Sequence, residues 1–377
     1  MRILITTVTA GAGHLQAAAA LEEAWKSNRP DDTTETVDLL DFVPRLQRKL
    51  HADAYVRLVA HAPELYSMVF NRTDNPNLVR KLTRFRHSLA HHTNRRFVNH
   101  LRKFKPDVVV CTHYLPVEVL GYLKSHGLDP FPFVVCVVTD FEAHTLWMDP
   151  VVDLYCAAAA ETCSSLTARG AAESHVAATG IPIASRFSVA PDPSAIRRHL
   201  GLRDDLPTLL VLGGGFGLGP VGEILKSLDL VRHSFQTLVV CGRNQELRAT
   251  LATSDFVHPT RVLGFVSNMH ELMAVSDLIL TKPGGLTSSE ALALGKPLFI
   301  LNPIPGQEAA NSDFLLERGA AIKVNRVADL PFRLEKLLGS PKLAEMAAAA
   351  KALGRPNAAS RIVDEITRHV TEPGSRP

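Results

Sequence analysis

Two short apolar runs, each closed by a glycine-bearing polar turn, constrain this chain more than any other feature. The first, Leu278-Ile279-Leu280, leads into Lys282-Pro283-Gly284-Gly285-Leu286-Thr287-Ser288-Ser289-Glu290-Ala291. The second, Leu298–Leu301, leads into Asn302-Pro303-Ile304-Pro305-Gly306-Gln307-Glu308 and then Asn311. Brief apolar runs bounded by turn residues read as buried strands, with a helix between them. Gly284 and Gly285 let the backbone turn sharply and approach a ligand closely. A helix opened by Thr287 and Ser288 aims free N–H groups, hydroxyls and its positive dipole end at one point, which makes an anion site. Glu290 has two readings. It can hold the hydroxyls of a ligand such as a ribose, or Thr287-x-x-Glu290 can be a capping box. Gln307, Glu308 and Asn311 place three more hydrogen-bonding side chains at the next helix start. Neighbouring strand ends in an open α/β sheet share one crevice.

The rest of the chain repeats this strand–turn–helix unit. Arg2–Val8 reads as a strand and Thr9–Gly13 as a turn, and His14 starts a helix whose apolar stripe is Ala17, Ala18, Leu21, Ala24 and Trp25. A dinucleotide fingerprint would need a third glycine where Gln16 stands. Lys105–His113 and Val134–Thr139 read as strands with polar exits, the second followed by Asp140, His144 and Trp147. His14 is either structural or projects its ring from the crevice, Asp140 is either an N-cap or loop aspartate or a group placed for chemistry at a strand end, and Trp147 reads as core. Asp153–Ala159 and His175–Thr179 close this half, with a helix over Glu161–Arg169 and a linker near 181–192. The second half opens with Thr208–Leu212 and Gly213-Gly214-Gly215-Phe216-Gly217-Leu218-Gly219. That loop lacks the G-K-[ST] ending of a nucleoside triphosphatase, so it is a phosphate-type loop or a bare tight turn. Thr237–Cys241, Arg261–Phe265 and Ala320–Val324 add strands, and 341–371 is helical. The expectation is an α/β chain of two Rossmann-like domains with parallel sheets, 1–185 and 186–344.

A length of 377 residues suits two domains. The net charge of +3 hides an asymmetry, because residues 45–105 carry 14 Lys/Arg against 3 Asp/Glu. A solvated basic face, an anionic membrane surface and nucleic acid all fit such a segment. No nucleic-acid-binding motif accompanies it, so no nucleic-acid partner is expected. The five cysteines lack a C-x-x-C pair and lie mostly in apolar runs, which predicts free thiols in a reducing compartment. Met1–Ile5 already reads as strand, so no secretory leader is expected. No apolar run approaches the roughly 18 residues of a membrane span.

Taken together, Pro283-Gly284-Gly285 with Ser289-Glu290-Ala291, Gly306-Gln307-Glu308-x-x-Asn311, the glycine turn ending in His14, and Thr139-Asp140 with His144-x-x-Trp147 resemble one family. It is the monogalactosyldiacylglycerol synthase and processive diacylglycerol glucosyltransferase family of glycosyltransferase family 28. That family is related to the bacterial enzyme that adds N-acetylglucosamine to lipid I. The resemblance covers most of the chain, and Ala12 stands where the family usually has a third glycine. It implies a GT-B fold, two facing Rossmann-like domains, with a last helix near 345–371 crossing back to the first. It implies inverting transfer of glucose or galactose from a UDP-hexose to the hydroxyl of diacylglycerol, on the inner face of the cell membrane. His14 and Asp140 would be the catalytic candidates, and Gly13, Thr139, His144 and Trp147 would meet the acceptor. Gly214, Gly215, Phe265, Met269, Gly284, Gly285, Thr287, Ser288, Glu290, Gln307, Glu308 and Asn311 would hold the donor. Gly264–Val266 and Met269 would offer an edge for the base. The UDP-sugar is a substrate, so no cofactor is expected, and the lack of an Asp-x-Asp argues against a metal held by that motif. Three other readings stay open: transfer to another lipid such as a polyprenyl-diphosphate-linked sugar, a UDP-sugar 2-epimerase, and a non-catalytic nucleotide-sugar sensor.

Overall fold

The strands of the first half sort by how apolar they are, and that sets their place in the sheet. The computed structural model describes residues 1–9, 12–43, 68, 72–75, 81–83, 87, 95–189, 191–213, 220–301, 303 and 306–371. Contacts divide the chain into one unit of Met1–Ser185, Pro305–Ala310 and Asn357–Pro377, and another of Arg186–Ile304 and Asn311–Pro356.

In the first unit β1 (Arg2–Thr7), β2 (Thr33–Asp38), β3 (Val108–Cys111), β4 (Phe133–Val137), β5 (Leu154–Ala157) and β6 (Val176–Ala178) form one parallel sheet in the order β2-β1-β3-β4-β5-β6. The wholly apolar β3 and β4 are central and buried along their length. Alternation divides their side chains between two cores. Val134 and Cys136 enter a cluster with Leu4, Val109, Leu120 and Trp147. Phe133, Val135 and Val137 enter another with Ile3, Ile5, Leu21 and Trp25. The polar β2 is an edge strand, paired with β1 in register Ile3↔Thr34. Helix α1 (Ala12–Asn28) begins two residues before His14 and buries all five predicted stripe residues. Helices α2 (Arg95–Phe104), α3 (Tyr114–Ser125) and α4 (Ala160–Ala168) cover the sheet.

In the second unit β7 (Thr208–Leu212), β8 (Gln236–Val240), β9 (Thr260–Leu263), β10 (Leu278–Thr281), β11 (Leu298–Leu301) and β12 (Ala321–Val324) are parallel in the order β12-β11-β10-β7-β8-β9. In chain order its helices are α5 (Pro193–His199), α6 (Val221–Leu228), α7 (Gln245–Ala252), α8 (Met269–Ala274), α9 (Gly285–Ala293), α10 (Gln307–Glu317), α11 (Leu330–Leu337) and α12 (Pro341–Leu353). Its core gathers Leu209, Val211, Ile224, Leu280, Phe299 and Leu334.

Both sheets reverse their strand order once. In the first the chain steps from β1 to β2 on one side, then to β3 on the other. In the second it runs β7, β8, β9 outward and returns to place β10 beside β7. The crevices of open α/β sheets lie at the carboxyl ends of strands at such points. They fall after β1 and β3 in one unit and after β7 and β10 in the other.

Three readings from sequence need correction. Helix α9 begins at Gly285 with Gly284 as its N-cap, so Thr287 is its third residue and no Thr287–Glu290 capping box exists. The helical stretch 341–371 is two helices, α12 and α13 (Ala358–Thr371), broken at Gly354-Arg355-Pro356. Pro356 lacks an amide hydrogen and disfavours helix in the residue before it. The edge strand β2 was not anticipated, because Thr-Thr-Glu-Thr-Val-Asp holds one apolar residue.

Helix α13 buries Ala359, Ile362, Val363 and Ile366 in the core shared by Trp25 and Leu21. All five cysteines are free, four of them buried. Among the described residues no helix is long and apolar enough to cross a membrane.

Gly354 explains how α12 meets α9. A Cβ at this position would lie 2.4 Å from the Leu292 carbonyl oxygen and 2.9 Å from its carbon, both rigid backbone atoms of α9. Gly354→Ala is therefore expected to destabilise the protein by about 1–3 kcal/mol, as overpacking does. Urea denaturation at neutral pH reads this as a lower midpoint with an unchanged slope.

Candidate functional site

At the first reversal point, the end of β3 takes hold of the start of α1. Thr112 follows β3 directly, and its carbonyl oxygen lies 2.8 Å from Nδ1 of His14. Its hydroxyl is 3.2 Å from the His14 carbonyl oxygen, to which it donates. A carbonyl only accepts, so Nδ1 of His14 carries the ring proton. Thr139, at the exit of β4, sets its hydroxyl oxygen 3.1 Å from the same nitrogen. The neutral ring then keeps its lone pair on Nε2, which has no hydrogen-bond partner among the described residues. Burial lowers the His14 pKa below 6.5, and Asp140 and the Thr112 carbonyl pull in the opposite direction. His14 lies in the first turn of α1, where the helix dipole also disfavours an imidazolium. Burial thus favours the neutral form of the half-buried ring.

Two aromatic rings flank it, and a third stacks behind one of them. His113 meets His14 edge-on, centroids 4.9 Å apart and planes at 84°. Trp147, almost fully buried, lies 6.3 Å from His14 and 6.2 Å from His113. Tyr114 stacks on His113 at 4.4 Å. Gly13 occupies the second position of α1, next to His14. His144 turns its ring inward, where Nδ1 accepts from the Leu146 amide at 3.0 Å and caps the 3-10 turn Thr145–Trp147. Asp140 follows Thr139 on the loop after β4, near enough to raise the His14 pKa. Sequence reasoning saw Thr112 and His113 only as a polar strand exit and gave Tyr114 no role. The signal was a threonine and a histidine closing an otherwise apolar strand.

Two described residues of the basic segment, Asp74 and His87, attach to the loop that carries Trp147. Asp74 accepts from the Thr145 amide at 2.8 Å and from Arg169 at 3.0 Å. His87 places Nε2 2.6 Å from the Asp149 carboxylate. The bare Gly121 makes room for that ring, since a Cβ there would lie 2.3 Å from it. Most of 45–105 lies outside the described residues.

In the second unit, α9 starts at the reversal point beside β7. Gly284 caps it with ordinary dihedrals, φ −64° and ψ 141°, and an added Cβ there would meet nothing within 4 Å. The described residues therefore leave open space at Gly284. Gly285 and Ser288 are buried, and the Ser288 hydroxyl has no hydrogen-bond partner among the described residues. Thr287 is half-buried. No hydrogen bond reaches the Glu290 carboxyl among the described residues. Burial pushes its pKa up to about 8, against the pull of Arg186. Strand β11 pairs with β10 in register Thr281↔Ile300, so the two strands end level. Gln307 and Glu308 open α10, just after Gly306 at φ 99°, and Asn311 is buried one turn later. Phe265 is 66% exposed beneath the Arg243 guanidinium, 5.6 Å from the ring centroid. Met269 is the first residue of α8. Gly214 and Gly215 lie outside the described residues.

Comparison with known proteins agrees with both halves. Residues 14–183 match the monogalactosyldiacylglycerol synthase family, and residues 208–362 match the glycosyltransferase family 28 C-terminal domain. A processive diacylglycerol beta-glucosyltransferase of Bacillus cereus (strain 03BB102) is 31% identical over 369 residues, 97% of this chain and 93% of the relative. Among solved structures, MurG of Acinetobacter baumannii superposes with a TM-score of 0.63 at 17% identity, covering 97% of this chain and 99% of the other. The UDP-GlcNAc 2-epimerase of Neisseria meningitidis, bound to UDP-GlcNAc, gives 0.59 at 16% identity, covering 98% and 100%. At such identities these two speak for the fold alone, which is GT-B. The two family matches and the near full-length relative show more: the chain is a glycosyltransferase and belongs to the family of the monogalactosyldiacylglycerol synthases and processive diacylglycerol glucosyltransferases.

Proposed function

We propose that this enzyme transfers a hexose, glucose or galactose, from a UDP-hexose to the hydroxyl of diacylglycerol, with inversion at the anomeric carbon. The observation that carries this reading is His14, held neutral with a free Nε2 lone pair in a chain 31% identical to a diacylglycerol glucosyltransferase. Nε2 takes the hydroxyl proton as the acceptor oxygen bonds to the anomeric carbon and the bond from that carbon to the UDP oxygen breaks. The imidazolium that forms is stabilised by Asp140. The open α9 start at Gly284, Gly285, Thr287 and Ser288 and the glycine loop with Gly214 and Gly215 receive the diphosphate. Glu290 holds ribose hydroxyls, Gln307, Glu308 and Asn311 read the sugar, and Phe265 and Met269 border the base. Gly13, Thr139, His144 and Trp147 frame the acceptor. Basic residues within 45–105 hold the enzyme on the anionic inner face of the membrane, where the lipid acceptor resides.

His14→Ala, given UDP-hexose and diacylglycerol in vesicles, is expected to lose about 10²–10⁴-fold in kcat, the usual weight of a positioned base. Lipid mass spectrometry identifies the product, and full turnover by this variant rejects the role. Asp140 raises the His14 pKa, so Asp140→Asn lowers it further. A base works only when deprotonated, so the acid limb of kcat/KM, below pH 6.5 in the wild type, is expected to move to lower pH.

Glu290 offers a second test. An unfolded glutamate ionises near 4.5 and the folded one near 8, so the folded state binds the extra proton between those values. Stability therefore falls as pH rises through that window. Glu290→Gln is expected to match the wild-type melting temperature at pH 4, exceed it at pH 8.5, and bind UDP-hexose more weakly. A variant that loses stability at both pH values would mark Glu290 as structural.

Neutralising Arg80, Lys81, Arg84 and Arg86 is expected to reduce cosedimentation with phosphatidylglycerol vesicles, and added salt to do the same to the wild type. Binding indifferent to both rejects the basic-segment account.

A further inference from the structure

We infer that His113 is a second catalytic residue, which presents its Nε2–H as a fixed hydrogen-bond donor to the acceptor hydroxyl oxygen while His14 takes that hydroxyl's proton. This deepens the proposed function and rests on it, since the hydroxyl is the one that reading assigns to the His14 side.

The tautomer of His113 follows from its own contacts. Its Nδ1 accepts from the Leu115 amide at 3.1 Å and so caps α3. A nitrogen that accepts from an amide carries no proton, so the neutral ring has its hydrogen on Nε2. Protonating Nδ1 would set two donors against each other and open the helix start. His113 is 94% buried by its 6% relative exposure, and burial together with the neighbouring His14 holds its pKa well below 6.5. The donor state therefore persists across physiological pH.

Nε2–H of His113 has no hydrogen-bond partner among the described residues, although the ring's other contacts are all made. Tyr114 stacks on one side at 4.4 Å, His14 lies edge-on at 4.9 Å and Trp147 at 6.2 Å. A serine, threonine or asparagine would cap α3 as well as histidine does. Imidazole adds a second nitrogen beside the first base. The two rings are opposite tautomers: His14 is Nδ1–H with a lone pair on Nε2, and His113 is Nε2–H with its lone pair on Nδ1. Each uses Nδ1 on backbone and keeps Nε2 unspent. One unspent nitrogen accepts and the other donates, which matches a hydroxyl, the one common group that does both at a single oxygen. As the proton leaves, negative charge grows on that oxygen, and a preset N–H stabilises it more than it does the neutral hydroxyl. The charged and titratable groups around the pair are Asp140 from the loop after β4 and Tyr114 from α3.

The test combines a ring-state measurement with kinetics. In ¹⁵N-histidine-labelled wild type, long-range ¹H–¹⁵N spectra are expected to show His113 as the Nε2–H tautomer and His14 as the Nδ1–H tautomer, with His113 unchanged from pH 6 to pH 9. His113→Asn keeps a capping oxygen and withdraws the donor from the Nε2 position, because its amide N–H groups stand nearer the backbone than Nε2 does. It is expected to retain the wild-type melting temperature and the KM for UDP-hexose, and to lose about tenfold in kcat/KM for diacylglycerol, the worth of one hydrogen bond at a desolvated site. A His113 that carries its proton on Nδ1, or titrates within that range, overturns the proposal. So does a His113→Asn enzyme with wild-type kcat/KM, or one whose loss follows a fall in melting temperature and is restored by His113→Ser. A wild type that makes no glycolipid from either UDP-hexose overturns the functional reading and this role with it. An active wild type with an indifferent His113→Asn overturns the role alone.

Discussion

The hydrogen bond from His14 Nδ1 to the Thr112 carbonyl sets which nitrogen the His14 ring presents, and the candidate site of the first unit depends on it. A histidine beside a glycine turn can present either nitrogen, and its tautomer depends on the nearest acceptor. Here the acceptor is backbone at the end of a buried central strand, where it cannot move aside. Thr112 is itself fixed by its amide's bond to the Thr6 carbonyl at 2.9 Å. The ring orientation is therefore inherited from the β1–β3 ladder. A side-chain acceptor could rotate away and free Nδ1. This one is locked by the register Thr6↔Cys111.

The two units apply one topological rule with opposite charge chemistry. Each places its candidate residues after the strands flanking a reversal of strand order, where two loops diverge and leave a crevice. Burial in both cases favours the uncharged form of a titratable group. For His14 this leaves a base ready to accept a proton at neutral pH. For Glu290 it leaves an acid whose ionisation is unfavourable until hydroxyl donors arrive to satisfy the carboxylate. The open space around Gly284 and the unpartnered Ser288 hydroxyl point the same way. Among the described residues that end of the second unit carries polar capacity left unused, and such capacity costs stability unless something else fills it.

The strong periodic signals were legible in the sequence and the weak ones were not. The stripe from Ala17 to Trp25, the apolar β3 and β4, and the glycine-closed turns each reported their element through burial. The edge strand β2 gave no signal because an edge carries polar residues on a mostly wet face. The start of α9 was misjudged by two residues. Thr287 and Glu290 satisfy the capping-box spacing, yet Gly284 caps without a side chain and pattern alone cannot register that. The break at Gly354–Pro356 was written in the sequence but passed over within an alanine-rich run. His14 stood out as a candidate because it follows a turn, and Asp140 because it follows a strand. Thr112 and His113 did not stand out, because their contacts with His14 lie about a hundred residues away in the chain, a distance no local pattern spans.

A depressed pKa makes His14 always available but intrinsically weaker as a base, and on the proposed mechanism two neighbours offset this. Brønsted behaviour penalises a base whose conjugate acid is too strong. On that mechanism Asp140 counters the penalty with a charge that attracts the ring more once it is protonated, so its effect falls mainly on the transition state. The second neighbour, His113, works at the other end of the same proton transfer by lowering the energy of the oxygen left behind. Neither needs to bind the resting hydroxyl tightly. On the same proposal the lipid acceptor is held chiefly by its acyl chains and the surface it enters from. Selection of a hydroxyl therefore falls to groups that discriminate by proton transfer rather than by grip, and a donor beside an acceptor, both with fixed tautomers, is the smallest arrangement that does so.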